Sequence, residues 1–183
     1  MGGMMTAQFC SGCGGVLRDH ELNQKNRRVC VQCGRIAYPP QRVAVSVIPY
    51  TSRNHVVLVR RAIHPGFGYW VIPGGYREIG EDLAAGALRE LHEEIRLPMD
   101  RKTLKFSGLY SYGGDATILA VYELQVYWEQ VWWGPECLEA ALFSVTELPW
   151  NNIYFPSTKD ALSQWIGAND SSRTNFSDTE SRR

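Results

Sequence analysis

The stretch PGGYREIGEDLAAGALRELHEEIRLP, residues 73–98, decides how the rest of the chain is read. Ala84, Ala87, Leu88, Leu91 and Ile95 recur at spacings of three and four. That spacing predicts a helix over 82–95 whose apolar stripe packs on a sheet. Arg89, Glu90, Glu93 and Glu94 fall within the same turns, and three of the four are carboxylates. Like charges three and four residues apart destabilise a helix by about 0.2–0.5 kcal/mol per pair. The penalty grows steeply if the groups are buried without a partner. Two remedies exist: the carboxylates take up protons, or they bind cations. Hard divalent ions such as Mg²⁺ prefer oxygen ligands and keep waters and substrate phosphates in their remaining positions. The plain alternative is a solvated helix face.

Composition frames the rest. The chain has 183 residues, 44% of them hydrophobic, and its 19 basic side chains balance its 19 acidic ones. This suits one principal soluble domain with a small appendage. Zero net charge, with no separate helix-turn-helix segment, argues against DNA binding and makes a nucleic-acid partner unlikely. The longest apolar runs, VAVSVI and ILAVY, are too short for a membrane span. The N-terminus lacks a basic region followed by an apolar run, so a cytoplasmic location is expected.

Cys10, Cys13, Cys30 and Cys33 form C-x2-C, a 16-residue spacer, then C-x2-C. Four thiolates at this spacing suit a tetrahedral structural Zn²⁺ site, and a redox dithiol is the alternative. Gly14 and Gly34 follow the pairs and are expected at positive φ, turning amides toward the sulfurs. His20 reads as a loop residue. Lys25–Arg28, KNRR, could meet phosphate, although a solvated hairpin tip is the plainer reading. Residues 1–39 are therefore expected to be a zinc ribbon.

From Arg42 the texture changes. RVAVSVI and HVVLVRR alternate and predict a hairpin over 42–61. YWVI is a short buried strand that PGG ends. LKFSGLYSY and ATILAVYELQVYW predict two more strands joined through GGD, and ALFSV a further one. Pro98 is expected to stop the first helix. STKDALSQWIG predicts a closing helix with Ser157 as its N-cap and Asp160 completing a capping box. Residues 169–183 are almost all polar and are expected to be disordered. The fold class is α/β (α+β), a mixed sheet with one central and one late helix.

The spacing G-x5-E-x7-R-E-x-x-E-E, from Gly75 through Glu81 to Glu94, resembles the Nudix box of the Nudix hydrolases. The aliphatic Leu91 fits, and YWVIPGG looks like the family's entry to the box. The box ends Ile95-Arg96-Leu97, with Arg96 where the family has glycine, at a position where positive φ is often needed. The resemblance covers about residues 40–168 and implies a Nudix-type mixed sheet flanked by helices. It implies that Glu90, Glu93 and Glu94 bind Mg²⁺ or Mn²⁺ and activate water on a diphosphate. Glu81 and Arg89 are implied as positioning groups, Arg89 by bidentate contacts. Gly75 is implied to let the loop pass close to metal and phosphates. The base is Glu93, Glu94 or a carboxylate from a later loop, with Glu136 the candidate of that kind.

A four-cysteine ribbon before such a domain resembles the NADH pyrophosphatase group and relatives that cleave FAD or ADP-ribose. The S-Q-P-W-P-F-P segment usual in NADH-type members is missing, which ranks ADP-ribose or FAD above NADH. Trp70, Tyr110, Tyr112 and Phe155 are candidates for stacking on a substrate ring, with core packing the alternative for each; Trp70 and Tyr112 are put forward as substrate-binding. Trp132 and Trp133 read as pocket lining or as a subunit contact in a homodimer. Cys137 reads as an ordinary thiol. A non-catalytic nucleotide sensor is the rival function. Cap removal from NAD-linked RNA is a third, and needs a basic channel that the sequence does not display.

Overall fold

The computed structural model describes residues 7–96, 101–112, 116–127 and 132–177. The stop at Pro98, the box's Leu97 and the GGD junction lie outside the described residues. The chain divides into two compact units, Met1–Gln41 and Arg42–Arg183.

In the first unit β1 (Leu17–Leu22), β2 (Lys25–Cys30) and β3 (Ile36–Ala37) form an antiparallel sheet in that order. Asn23 and Gln24 make the β1–β2 turn, with φ of 51° and 60°. Asparagine tolerates that left-handed geometry, which two-residue hairpins need. The KNRR segment is therefore strand β2 and not a hairpin tip, and His20 lies on β1, not in a loop. Among the described residues, Leu17, Cys10 and Cys30 with Ala37 form the core of this unit. So small an apolar cluster rarely suffices by itself, and the cysteines supply what is missing. Their four sulfurs lie within 4.8 Å of one another. Cys10 Sγ is 3.7 Å from Cys33 Sγ, and Cys13 Sγ is 3.5 Å from Cys30 Sγ. A tetrahedral ion with bonds of about 2.3 Å has sulfur–sulfur edges of about 3.8 Å, so the set could hold a metal. Gly14 and Gly34 do adopt positive φ, 75° and 70°.

The second unit is a sandwich of helix, sheet and helix. β4 (Arg42–Tyr50) and β5 (His55–Arg61) start as the expected hairpin, paired at Tyr50–Val56. They then diverge, and two short strands enter between them. β6 (Trp70–Val71) pairs with β5, and β7 (Gly74–Tyr76) pairs with Ala44–Ser46 of β4. The two glycines expected to end a strand thus belong to one. α1 (Leu83–Ile95) follows, capped by Asp82, whose Oδ1 accepts from the Ala85 amide at 2.8 Å. β8 (Lys105–Ser111), β9 (Thr117–Gln125) and β10 (Cys137–Ser144) complete a sheet ordered β10-β5-β4-β9-β8. β4 and β9 run parallel, which local alternation does not reveal.

Side-chain alternation splits the core in two. Val45, Val47, Val57 and Val59 face α1 with Ala87, Leu91 and Ile95. Ile48, Val56 and Leu58 face the second helix, α2 (Pro156–Ser177), with Ala161, Leu162 and Trp165. Two expectations fail here. Pro156 is the first residue of α2, so Ser157 lies inside it; proline suits that position because its missing N–H has no partner there anyway. The helix also continues to Ser177, into the start of the 169–183 segment expected to be disordered, whose last residues lie outside the described ones. Once a packed turn is in place, each added residue needs only one further hydrogen bond, even in a polar sequence. Among the described residues no helix is long and apolar enough to cross a membrane.

Candidate active site

The three glutamates of α1 lie in graded environments. Glu94 borders the buried stripe and is 8% exposed. Glu90 is partly buried, and the Glu93 side chain is 58% exposed. The solvated face that was the plain alternative holds for Glu93 alone, since Glu94 and Glu90 sit at the edge of the core. Glu94 Oε2 accepts from the Gly74 amide at 2.8 Å. Burial nonetheless pushes the Glu94 carboxyl up to about 8, with Glu90 and Glu136 adding to the rise and the Gly74 amide and Arg61 opposing it. Burial also raises Glu90, against the pull of Arg89 and with help from Glu93 and Glu136. This is the behaviour of a site short of positive charge.

Arg89 is the cation that holds the cluster. Its Nε and Nη2 donate to the two oxygens of Glu81 at 3.1 and 2.9 Å. Nη1 reaches Glu90 at 2.9 Å and Glu93 at 3.3 Å, and Nη2 also reaches the Tyr76 carbonyl at 3.1 Å. Glu81 additionally accepts from the Glu78 amide at 2.7 Å. Arg89 and that amide hold the Glu81 carboxyl down at about 2. Gly75 leaves room for this arrangement, since a Cβ there would lie 2.5 Å from the Glu90 carboxylate.

The carboxylates do not converge as the sulfurs do: among the described residues the four cysteines are the set whose ligand atoms all lie mutually close. Glu94 turns to Gly74, while Glu90 and Glu93 turn to Arg89. The donors are nevertheless all oxygen, on one helix face, and underneutralised, which is the chemistry a hard divalent ion selects. Glu93, Glu90, Glu94 or Glu136 could each accept a proton from water at such a site. Glu136 belongs to it electrostatically, through its effect on Glu90 and Glu94.

The ring-binding candidates separate. Trp70 is corrected: it is buried in the α2-side core, edge-on to Phe143 with centroids 4.9 Å apart, and presents no free face to a base. A residue paired on β6 points to whichever side the strand dictates, and at Trp70 that is the interior. Tyr110 is also buried there, donating to Gln164 at 2.9 Å. The Tyr112 hydroxyl bonds Asp160 of α2, on the sheet face opposite α1, while the residue itself is exposed. Phe155 packs at the edge of the α1-side core. The Arg61 guanidinium, which acts on Glu94, lies 5.4 Å from its ring centroid. Tyr154 packs on Phe155, and Tyr69 on Tyr154, at 4.8 and 5.5 Å. Tyr69 and Tyr154 are both exposed at the surface, the Tyr154 ring lying against Gly66. Cys137 is buried and its thiol is pushed up to about 12, chiefly by that burial, which leaves it unreactive.

Two further features escape the sequence. The Gly134 amide donates to the Glu94 carbonyl at 2.9 Å, and a Cβ on Gly134 would lie 2.2 Å from the Glu93 carbonyl oxygen. The loop carrying exposed Trp132 and Trp133 thus seats directly on the end of α1. Arg96 itself caps that end with φ 48° and ψ 31°, its amide bonded to the His92 carbonyl.

A family model for the NUDIX domain matches residues 40–166. The chain belongs to the NUDIX domain family. A crystal structure of a NUDIX hydrolase from Nitrosomonas europaea aligns with a TM-score of 0.70 and 32% identity, covering 85% of this chain and 88% of that one. The NAD-capped RNA hydrolase NudC of Edwardsiella ictaluri is 31% identical over 99 residues, 54% of this chain and 36% of the relative. The ADP-ribose pyrophosphatase of Methanocaldococcus jannaschii is 31% identical over 100 residues, 52% of this chain and 58% of the relative. The matches to these curated relatives thus span little more than a third to somewhat over half of their length.

Proposed function

We propose that this NUDIX domain is a metal-dependent pyrophosphohydrolase that cleaves the diphosphate of a nucleoside diphosphate derivative and releases a nucleoside monophosphate. The carrying observation is Glu94: a buried carboxylate beside Glu90 and Glu93 with too little counter-charge. Glu90, Glu93 and Glu94 would hold Mg²⁺ or Mn²⁺. A divalent ion there would neutralise diphosphate charge and acidify a bound water. Arg89 fixes Glu90 and Glu93, and Glu81 fixes Arg89 in turn. The amide of Gly74 orients Glu94. Glu136 or Glu93 accepts the proton of the attacking water. Phe155 and Tyr154, beside Arg61, offer faces to the base or flavin ring. We rank ADP-ribose or FAD above NADH; similarity to an ADP-ribose pyrophosphatase supports the first. Similarity to NudC gives NAD-capped RNA a place in the same assay. The four cysteines would hold Zn²⁺, and five unpaired thiols suit a reducing, cytoplasmic setting.

The test is incubation of the full chain with ADP-ribose, FAD, NADH and NAD-capped RNA, with and without Mg²⁺. AMP release from ADP-ribose, FAD or NADH, abolished by omitting Mg²⁺ and lowered by orders of magnitude in Glu93→Gln, is the expected result. Tight nucleotide binding with no turnover of any substrate would establish the sensor instead.

A further inference from the structure

The register of the small N-terminal sheet sorts its charges by face. Strand side chains alternate between faces. β1 and β2 pair Arg18 with Val29, His20 with Arg27 and Leu22 with Lys25, and β2 and β3 pair Val29 with Ile36. Arg18, His20, Lys25 and Arg27 therefore share one face. Tyr38, two residues beyond Ile36, joins them: the Arg27 guanidinium lies 5.3 Å from its ring centroid. The opposite face carries Asp19 and Glu21 with the core residues Leu17 and Cys30. Arg28 also lies there, 3.5 Å from Asp19. The strands thus give one face three formal cations and no acid, although the whole chain is neutral. Arg18, Lys25 and Tyr38 are exposed, the last at 66%.

We propose that this face binds single-stranded nucleic acid with little sequence preference. Tyr38, backed by Arg27, stacks on an unpaired base. Arg18, Lys25 and Arg27 take the flanking phosphates. Aromatic rings set among cations on a sheet are the means by which such strands are held, since every base has a ring face. An anionic membrane surface is the weaker match, because electrostatic docking there uses clusters of about four to eight cations. The proposal concerns the ribbon alone and stands whether or not the diphosphate hydrolase reading holds.

Fluorescence anisotropy of labelled oligouridylate, about 12 nucleotides long, tests it on the full zinc-loaded chain without divalent substrate metal. Three phosphate contacts predict that log K falls with log salt at a slope of about 2. Lys25→Ala and Arg27→Ala should each lower that slope by about 0.7. Tyr38→Ala should weaken binding roughly fivefold or more with the slope unchanged, and Tyr38→Phe should restore it. Glu21→Gln on the opposite face should leave affinity within about twofold, since surface changes away from a contact are worth about ±0.5 kcal/mol. Zinc content of each variant confirms that the ribbon is folded. No binding at low salt, binding indifferent to Tyr38→Ala and Arg27→Ala, or binding to phosphatidylserine vesicles without binding to the oligonucleotide would each overturn the proposal.

Discussion

Glu94→Gln isolates the electrostatic strain in α1. In the metal-free chain burial lifts the folded Glu94 carboxyl to about 8, against about 4.5 for an ordinary glutamate. Its folded value is raised, so its contribution to stability is complete below about 4.5 and is lost as pH rises toward 8. The difference of about 3.5 pH units, at about 1.4 kcal/mol each, sets a ceiling near 5 kcal/mol. Local relaxation and water entry reduce such ceilings, and we expect a loss of about 2–4 kcal/mol between pH 4.5 and 8. For a chain of this size that is a fall in Tm on the order of 5–15 °C. Thermal unfolding of zinc-loaded wild type and Glu94→Gln across pH 4–9, without other divalent ions, measures it. Other titrating groups are common to both proteins, so the difference between their curves reports Glu94. Adding Mg²⁺ at pH 8 should recover most of the wild-type loss and little in the variant. Parallel curves for the two proteins would refute the reasoning, because Glu94 would then be solvated or already neutralised.

Arg96→Gly should raise stability by about 0.5–1 kcal/mol in urea titration, because Arg96 occupies a left-handed helix end at φ 48° that glycine adopts without strain. Gly134→Ala should cost about 1–3 kcal/mol and lower turnover, since its new methyl lands 2.2 Å from the Glu93 carbonyl oxygen and pushes the loop off α1; unfolding and steady-state rates on the same sample check both. Cys30→Ser should remove about one zinc per chain by metal analysis and unfold the small sheet by circular dichroism, while residues 42–177 keep a separate thermal transition.

Much of this architecture could be read from periodicity and spacing. The helix over 82–95, the acid cluster with its arginine, and the four-cysteine set are local patterns, and local patterns survive translation into three dimensions. What was illegible depended on partners distant in sequence. Trp70 looks the same in sequence whether a strand turns it inward or outward. Tyr112 is committed to α2 by Asp160, 48 residues away. The parallel neighbour of β4 lies beyond a whole crossover, and Gly134 matters only because its loop returns to α1. Neutrality of the total likewise says nothing about how strand register deals out the signs between the two faces of the ribbon.

The parallel pairing of β4 with β9 has a kinetic consequence. It joins Arg42 to Thr117 and Tyr50 to Gln125, and everything between, α1 included, is carried inside that closed loop. Closing so long a connection is entropically slow compared with forming its hairpins and helix. The acidic helix can therefore form as a local element before the centre of the molecule locks. With a divalent ion relieving the crowding of its charges as proposed, refolding of the zinc-loaded chain is expected to be faster with Mg²⁺ than without it.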